Sequence, residues 1–259
     1  MDDRTQKALD ELLQSKKYRD ICPDTVINAF SEQTKRHGKI KEADKAARAH
    51  LHAISGAFIS PDEVQDAQKA LNEWLMGDEE ALKRALLRHS STRERMDIAD
   101  ELFDRAFLSC GKVESILDLA CGINPIYLGS RGYTNVTGID IHAGCARLIN
   151  ECAEKKGWKT RARAGDVILN PPEEETDITL MMKLLPVLET QKAGAAKALL
   201  EAVRSRHMLV TFPTQTLGGR KVGMEKHYSE WFEKTVPETL LIIDRFVIGS
   251  ELCYTLERK

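Results

Sequence analysis

The chain has 259 residues, of which 42% are hydrophobic and 30% are charged. This composition is typical of a globular protein and excludes a disordered chain, and the length suits one large α/β core or a mid-sized core with a small accessory domain. Apolar runs fall short of the ~18–20 residues of a membrane-spanning helix, which excludes a membrane protein. The formal net charge of −2 argues against a surface that is basic throughout, but it leaves local basic patches possible.

The amino-terminal segment is charged and amphipathic and lacks the apolar stretch of a secretory signal. We therefore expect a cytoplasmic protein with reduced thiols. The cysteines form no CxxC pair and have no histidine partner at zinc-ligand spacing, so we predict no metal site and small apolar roles for all six. They are Cys22, Cys110, Cys121, Cys145, Cys152 and Cys253.

Apolar residues recur at intervals of three and four as far as residue 110, which predicts four or five helices. Ser60-Pro61-Asp62 is typical of a helix start, and Met76-Gly77-Asp78 of a break between two helices. We predict a helical domain over residues 1–85, followed by an α/β domain over residues 86–259.

After residue 110, β-rich segments alternate with helical stretches, and seven strands are predicted. The first five are separated by enough residues for helical crossovers, which indicates a parallel sheet. The last two are joined only by Gly249-Ser250 and predict a hairpin that brings an antiparallel strand into the sheet. The predicted strands are Ser115–Ala120, Asn135–Ile141, Lys159–Asp166, Asp177–Met182, His207–Phe212, Leu240–Ile248 and Glu251–Leu256.

The first strand runs into a turn at Cys121-Gly122, and the second ends at Asp140, 18 residues after Gly122. A glycine turn with an acidic residue about 20 positions later is typical of nucleoside binding at the carboxyl edge of a sheet. One glycine in place of three favours a nucleoside without phosphates, and S-adenosylmethionine suits the pattern better than NAD or ATP. A helix-capping Asp and an ordinary turn glycine are the alternative.

Two further side chains lie at the same predicted edge. Asp166 ends the third strand, where the amino group of an adenine would fall. Lys183 follows the fourth strand, where a reacting group would lie, although a lysine extending from a buried strand to solvent explains it equally well.

Two basic regions point to a nucleic acid. Residues 16–52 hold nine Lys and Arg against five Asp and Glu, a local balance of +4 that leaves −6 for the rest of the chain. Such a gradient can orient a protein on phosphates, although a solvated helix face is an alternative. The segment 217–225 combines three glycines with Arg220, Lys221 and Met224, and we expect it to be a mobile basic loop near the cofactor, rather than an ordinary surface loop.

Eight segments are informative together: His89–Arg95, Asp118–Pro125, Gly138–His142, Met181–Glu189, Phe212–Tyr228, Ser15–Tyr18, Cys22–Val26 and Leu51–Phe58. They resemble the aminoglycoside-resistance methyltransferases of 16S ribosomal RNA, the Arm/Rmt family, over nearly the whole chain. The resemblance implies a Rossmann-like, class I fold with a seven-stranded sheet and an amino-terminal helical domain. It further implies methyl transfer from S-adenosylmethionine to N-7 of the decoding-site guanine numbered 1405 in the small (30S) subunit.

The resemblance also implies roles for individual residues. Arg95 pairs with the methionine carboxylate of the cofactor beside His89, Ser90 and Ser91. Asp140 binds the ribose. The remaining cofactor residues are Ala120 and Gly122 under the sugar, Asp166 and Val167 at the adenine, Leu184 and Gln191 in the pocket, and Phe58, which lacks the hydroxyl of the tyrosine that some relatives carry. The RNA-binding residues are Lys16, Lys17, Lys35, Arg36, Arg48, Arg220 and Lys221.

Guanine N-7 carries a lone pair and no proton, so its methylation needs no general base. We therefore predict no acid–base residue and a positioning role for Lys183 and Met224. The product is S-adenosylhomocysteine, and a monomer is expected. Two alternatives stay open: a methyltransferase of a small molecule or protein whose helical domain is a lid, and a non-enzymatic interaction module that retains the cofactor site.

Overall fold

The computed structural model describes residues 2–56, 58–215 and 223–259. Its first part is a group of three helices: α1 (Asp3–Gln14), α2 (Pro23–Arg36) and α3 (Ile40–Leu51). The Asp2 side chain accepts the N–H of Thr5 at the start of α1. A π-helical turn over His52–Gly56 follows α3. These helices enclose a small core of their own, formed by Leu9, Leu12, Tyr18, Ile21, Val26, Ala29, Phe30, Ala47 and Leu51.

Four more helices precede the sheet: α4 (Pro61–Leu75), α5 (Glu79–Leu86), α6 (Ser90–Arg95) and α7 (Ala99–Cys110). As predicted, α4 begins after Ser60, whose hydroxyl forms a capping box with Glu63. Seven α-helices therefore precede the sheet in the described residues, and the prediction of four or five was wrong. The additional helices are short, six to eight residues in α5 and α6, and apolar periodicity does not resolve such pieces.

The prediction of a seven-stranded sheet is confirmed. The strand order is β3-β2-β1-β4-β5-β7-β6, with β1 to β5 parallel and the hairpin strand β7 antiparallel to both β5 and β6. The strands are β1 (Ile116–Leu119), β2 (Val136–Asp140), β3 (Arg161–Ala164), β4 (Ile178–Met182), β5 (His207–Pro213), β6 (Leu240–Ile248) and β7 (Glu251–Arg258).

Helices between the strands cover both faces of the sheet. They are α8 (Asn124–Ser130), α9 (Ala143–Lys156), α10 (Leu185–Gln191), α11 (Ala195–Ala202) and α12 (Met224–Thr235). Each face therefore carries its own apolar core. The crossovers bring the carboxyl ends of β1 to β4 to one edge of the sheet, where the predicted site residues follow the strands.

The helices α4 and α5 pack in the core of the sheet, not in the core of α1–α3. The ring centroids of Trp74 in α4 and Trp158 lie 6.2 Å apart, and Leu71 and Leu86 belong to the same cluster as Ile116 of β1. The predicted division between residues 85 and 86 was not tested and stays a prediction. The apolar core of α1–α3 is nevertheless separate from the core that begins at Ile59.

The segment between α1 and α2 is hydrogen-bonded to the carboxyl end of β2. The N–H of Cys22 donates to the carbonyl of Ile141 at 2.6 Å, and the N–H of Ala143 donates to the carbonyl of Asp20 at 2.7 Å. Arg147 also pairs with the Asp20 carboxylate at 2.8 Å. The amino-terminal helices are thus fixed beside the edge where the site residues gather. Every helix in the described part of the chain is too short or too polar to cross a membrane.

Candidate cofactor site

A cleft of about 820 Å³, including the part open to solvent, lies at the carboxyl edge of the sheet. Its walls are mostly apolar, with contributions from Ile54, Ile59, Ile139 and Val187. Most of the predicted cofactor residues line it, together with Lys183: Phe58, His89, Ser91, Ala120, Asp140, Asp166, Val167, Leu184 and Gln191. Three described residues with a predicted cofactor role do not line this cleft: Ser90, Gly122 and Arg95.

The turn after β1 is hydrogen-bonded to the last residue of β2. Ala120 and Gly122 have φ values of +53° and +52°, and the Gly122 N–H donates to Asp140 Oδ2 at 2.8 Å. A Cβ atom on Gly122 would lie 2.5 Å from Nε2 of His89. Both the backbone conformation and the space therefore require glycine at this position.

The Asp140 carboxylate accepts a second backbone N–H, from His142 to Oδ1, also at 2.8 Å. Burial raises the pKa of Asp140, and these two backbone hydrogen bonds oppose the rise. Each carboxylate oxygen has two lone pairs, so each can accept one more hydrogen bond from the cleft. The arrangement suits a pair of ligand hydroxyls.

His89 forms the floor against which the glycine turn packs. It is buried and stacks on Phe58, with 6.3 Å between the ring centroids and 16° between the ring planes. Burial, together with the nearby charge of Arg95, lowers the pKa of His89 to about 3. The imidazole is therefore neutral at physiological pH and acts as a packing surface.

Asp166 is held from two sides. Its Oδ1 accepts the N–H of Ile168 at 2.9 Å, and its Oδ2 accepts the hydroxyl of Thr25 in α2 at 2.9 Å. The hydrogen bond from Thr25 is buried and links the amino-terminal helices directly to the cleft. Sequence reasoning placed Asp166 at the edge but did not identify Thr25, because no local pattern marks a partner 141 residues away.

Asp118 in β1 is a carboxylate that sequence reasoning did not single out. Its Oδ2 accepts the side-chain amide of Asn124 at 2.7 Å, whereas Oδ1 has no hydrogen-bond partner among the described residues. Complete burial raises the pKa of Asp118 to about 7. An acidic residue inside an apolar strand is the signal that could have identified it.

Lys183 has a left-handed backbone, with φ of +56°, directly after β4. Its ammonium lies 2.8 Å from Glu94 Oε2 and 3.3 Å from Glu251 Oε1. Arg95, on the other side, donates to Ser91 Oγ at 3.1 Å and lies 3.6 Å from Glu251 Oε1. Lys183 is thus ion-paired. Its two acidic partners were missed because they lie far from it along the chain.

Comparison with known proteins decides the family. Residues 14–255 match the family model described as ribosomal RNA methyltransferase (FmrO). The chain belongs to this family. Among FmrO-family relatives, the 16S rRNA (guanine(1405)-N(7))-methyltransferase of Serratia marcescens is 43% identical over 251 residues, 97% of each chain. The enzyme of the same name from Micromonospora echinospora is 32% identical and covers 99% of this chain and 98% of its own.

Solved structures agree with this assignment. The 16S rRNA methyltransferase RmtF, in complex with S-adenosyl-L-homocysteine, is 54% identical, covers all of both chains and has a TM-score of 0.96. The 16S rRNA methylase RmtB is 38% identical, covers 98% of both chains and has a TM-score of 0.88. The predicted fold class, a Rossmann-like methyltransferase with an antiparallel final hairpin and an amino-terminal helical region, is therefore confirmed.

This FmrO-family chain exposes most of its predicted RNA-binding residues. Lys16, Lys17, Lys35 and Arg36 are wholly or partly exposed, although Lys16 pairs with Asp62 and Lys35 with Glu32. Arg48 is half-buried and donates to both oxygens of Asp44, at 3.0 and 2.8 Å. Arg48 is therefore less available for a phosphate than the exposed lysines.

The glycine-rich segment is described only in part. Arg220 and Lys221 lie outside the described residues, as does the start of the segment, so its predicted mobility stays a prediction. Gly223 has φ of +62° and precedes Met224, the half-buried first residue of α12. The six cysteines are buried free thiols, and no cluster of three His, Cys, Asp or Glu suited to a metal occurs within residues 2–56, 58–215 and 223–259.

Proposed function

We propose that this chain transfers a methyl group from S-adenosylmethionine to N-7 of guanine 1405 of 16S ribosomal RNA. The observation that carries the proposal is full-length similarity to relatives of that name, 97% of each chain in one case, combined with an intact nucleoside-type cleft. We further propose that the modification gives aminoglycoside resistance.

The cleft fits the cofactor by its own chemistry. Gly122 leaves no Cβ between the turn and His89, and Asp140 retains acceptor capacity toward the cleft. We assign the ribose hydroxyls to Asp140 and the adenine to Asp166 and Val167, with Ala120, Leu184, Gln191 and Phe58 as walls. Arg95, beside His89, Ser90 and Ser91, would hold the methionine carboxylate. When bound, S-adenosylmethionine supplies a methyl group on a sulfonium sulfur, which the N-7 lone pair can accept directly.

The residues of this chain act by positioning. Guanine N-7 has no proton, so no side chain has to remove one, and holding the reactants in line can lower the barrier by up to about 7–11 kcal/mol. The neutral His89 and the ion-paired Lys183 suit this role better than acid–base catalysis. Apolar walls such as Ile54 and Val187 exclude water from the cleft.

We propose the assembled small (30S) subunit as the substrate. In an A-form helix N-7 lies in a deep, narrow major groove that side chains do not readily enter, so the target must be displaced or lie at a distorted site. The folded RNA would be bound through its phosphates by basic side chains: Lys16, Lys17, Lys35, Arg36, Arg48, Arg220 and Lys221. Met224 would contact the target base. Action in the cytoplasm follows from that substrate, and the monomeric state stays a prediction.

The experiment is methyl transfer from labelled cofactor to isolated small subunits, naked 16S RNA and whole ribosomes in parallel. We expect transfer to small subunits, with little or none to naked RNA. Transfer to none of the three would reject the proposal and leave a small-molecule or protein substrate, or a non-enzymatic module, as the next hypothesis. Cofactor binding measured alone would then separate those two.

A further inference from the structure

Glu251 is a buried carboxylate between two cations that we assign to the site. It is the first residue of β7 and lies opposite Pro213, the last residue of β5. Its side chain is 0% exposed, and neither of its oxygens accepts a hydrogen bond from a described residue. The nearest opposite charges are Lys183 Nζ at 3.3 Å and Arg95 Nη1 at 3.6 Å.

Four charges form a cluster here: Glu94, Lys183, Glu251 and Arg95. Its formal charge is zero, and its exposure decreases inward, from 35% at Glu94 and 13% at Lys183 to 4% at Arg95 and 0% at Glu251. Burying a carboxylate without hydrogen bonds is costly, and a well-packed apolar side chain would often give a more stable fold. Stability of the fold therefore does not account for Glu251.

Within the described part of the chain, the two cations have few other partners that hold them in place. Arg95 donates to Ser91 Oγ, and Lys183 is also bound by Glu94, which is partly exposed and can move. Lys183 additionally has a left-handed backbone, which costs free energy in any residue except glycine and is characteristic of functional sites. Among the residues that the structure describes, the fixed partner common to both cations is Glu251.

We infer that Glu251 is a positioning residue for methyl transfer. Its buried charge fixes the Arg95 guanidinium toward the methionine end of the cofactor and the Lys183 ammonium toward the target side of the cleft. Without that charge, Lys183 would follow Glu94 toward solvent and Arg95 would keep only its bond to Ser91. This inference rests on the proposed function, because the roles of Arg95 and Lys183 do.

The test variant is Glu251→Gln, which removes the charge and keeps the shape. We expect cofactor affinity, measured by calorimetry without RNA, to fall at least fivefold and single-turnover methylation at least tenfold. The KM for small subunits should stay within threefold, since none of the four residues belongs to α1–α3, the helices that carry the cations assigned to docking. The matched control is Glu257→Gln in the same strand, which contacts the exposed Arg206 and, at 3.6 Å, His207 and neither Arg95 nor Lys183; it should keep parental values within twofold.

Removing the charge of Glu251 leaves Arg95 and Lys183 with an uncompensated buried charge, so the single variant can be unstable. The double variant Glu251→Gln with Lys183→Met removes one cation as well and should recover part of the lost thermal stability. At saturating cofactor its methylation rate should equal that of Lys183→Met alone, because the effect through Arg95 lies in cofactor affinity and the rest acts through Lys183. A purely structural role would instead restore methylation together with stability.

Parental cofactor affinity and methylation rate in folded Glu251→Gln would overturn the inference, as would rate losses that multiply in the double variant at saturating cofactor. The two proposals fail separately. If the parent does not methylate small subunits, the proposed function is wrong, and the cofactor affinities of Glu251→Gln and Glu257→Gln still decide whether Glu251 positions Arg95.

Discussion

The backbone N–H of Gly122 donates to Oδ2 of Asp140 over 2.8 Å, and this bond ties the turn after β1 to the end of β2. The same carboxylate accepts the N–H of His142, so Asp140 organises both turns that border the cleft. A residue assigned to ribose binding therefore also has a structural task, and its replacement is informative only if it keeps part of that task.

We predict that Asp140→Asn weakens binding of S-adenosylmethionine at least about tenfold. A hydrogen bond to a charged group is worth roughly 1.5–3 kcal/mol, and the amide retains one acceptor for the backbone, which alanine would not. Calorimetry measures the affinity. Asp177→Asn is the matched control, because Asp177 also accepts backbone N–H groups, from Glu114 and Ser115, but at the opposite edge of the sheet. Equal affinity in both variants would remove Asp140 from the cofactor site.

The sheet and the residues around the cleft could be predicted because each follows from a local pattern. Parallel strands separated by helices bring residues such as Asp140 and Asp166 to one edge, whatever the details of packing. Interactions between distant parts of the chain could not be predicted in this way: Thr25 bonds Asp166 and Glu251 reaches Lys183 through tertiary packing. The same limit applies to α4, whose Trp74 packs against the sheet rather than with the first three helices.

A second prediction concerns the pH dependence of stability. Burial raises the pKa of Asp118 to about 7 from an ordinary 3.8, so between these values the native chain binds a proton that the unfolded chain releases. Stability from Asp118 is therefore lost as the pH rises through that window. Burial lowers the pKa of His89 from 6.5 to about 3, so stability from His89 is lost as the pH falls through its own window.

These two contributions oppose each other between about pH 4 and pH 6.5, and Asp118→Asn removes only one of them. The variant should therefore lose stability faster than the parent on acidification from about pH 6 to about pH 5, by about 1 kcal/mol. Urea unfolding at the two pH values measures the difference. If the free energy of unfolding changes by the same amount between the two pH values in the variant and in the parent, Asp118 is ionised in the native chain.

The exposed cations of the amino-terminal helices give a third prediction. Lys17→Glu should weaken binding to small subunits and reduce the salt dependence by a slope of about 0.9 for each phosphate of a duplex-like site that the variant no longer neutralises. Cofactor affinity should not change. Lys112→Glu, at an exposed lysine before β1 at the far edge of the sheet, serves as the control. If the two variants bind subunits alike at several salt concentrations, the helices α1–α3 do not form the docking surface.

Met224, the first residue of α12, carries the fourth prediction. Met224→Ala should leave subunit affinity within about threefold, or roughly 0.65 kcal/mol, while single-turnover methylation falls at least about tenfold. The reason is that an adaptable apolar side chain there positions the displaced base without contributing much to docking. Met76→Ala, at an exposed methionine, is the control. If the whole defect lies in affinity for small subunits, the glycine-rich segment 217–225 serves docking. Lys183 and Phe58 are then the next candidates for positioning the base.

Mapping of the methylated base tests the proposed activity most directly. Small subunits are incubated with the chain and S-adenosylmethionine, the RNA is reduced with borohydride and cleaved with aniline at N-7-methylated guanine, and the break is located by primer extension. We expect one new break, at guanine 1405, that requires both the chain and the cofactor. Cofactor-dependent incorporation without a break there, or a break at another guanine, would contradict the proposed function.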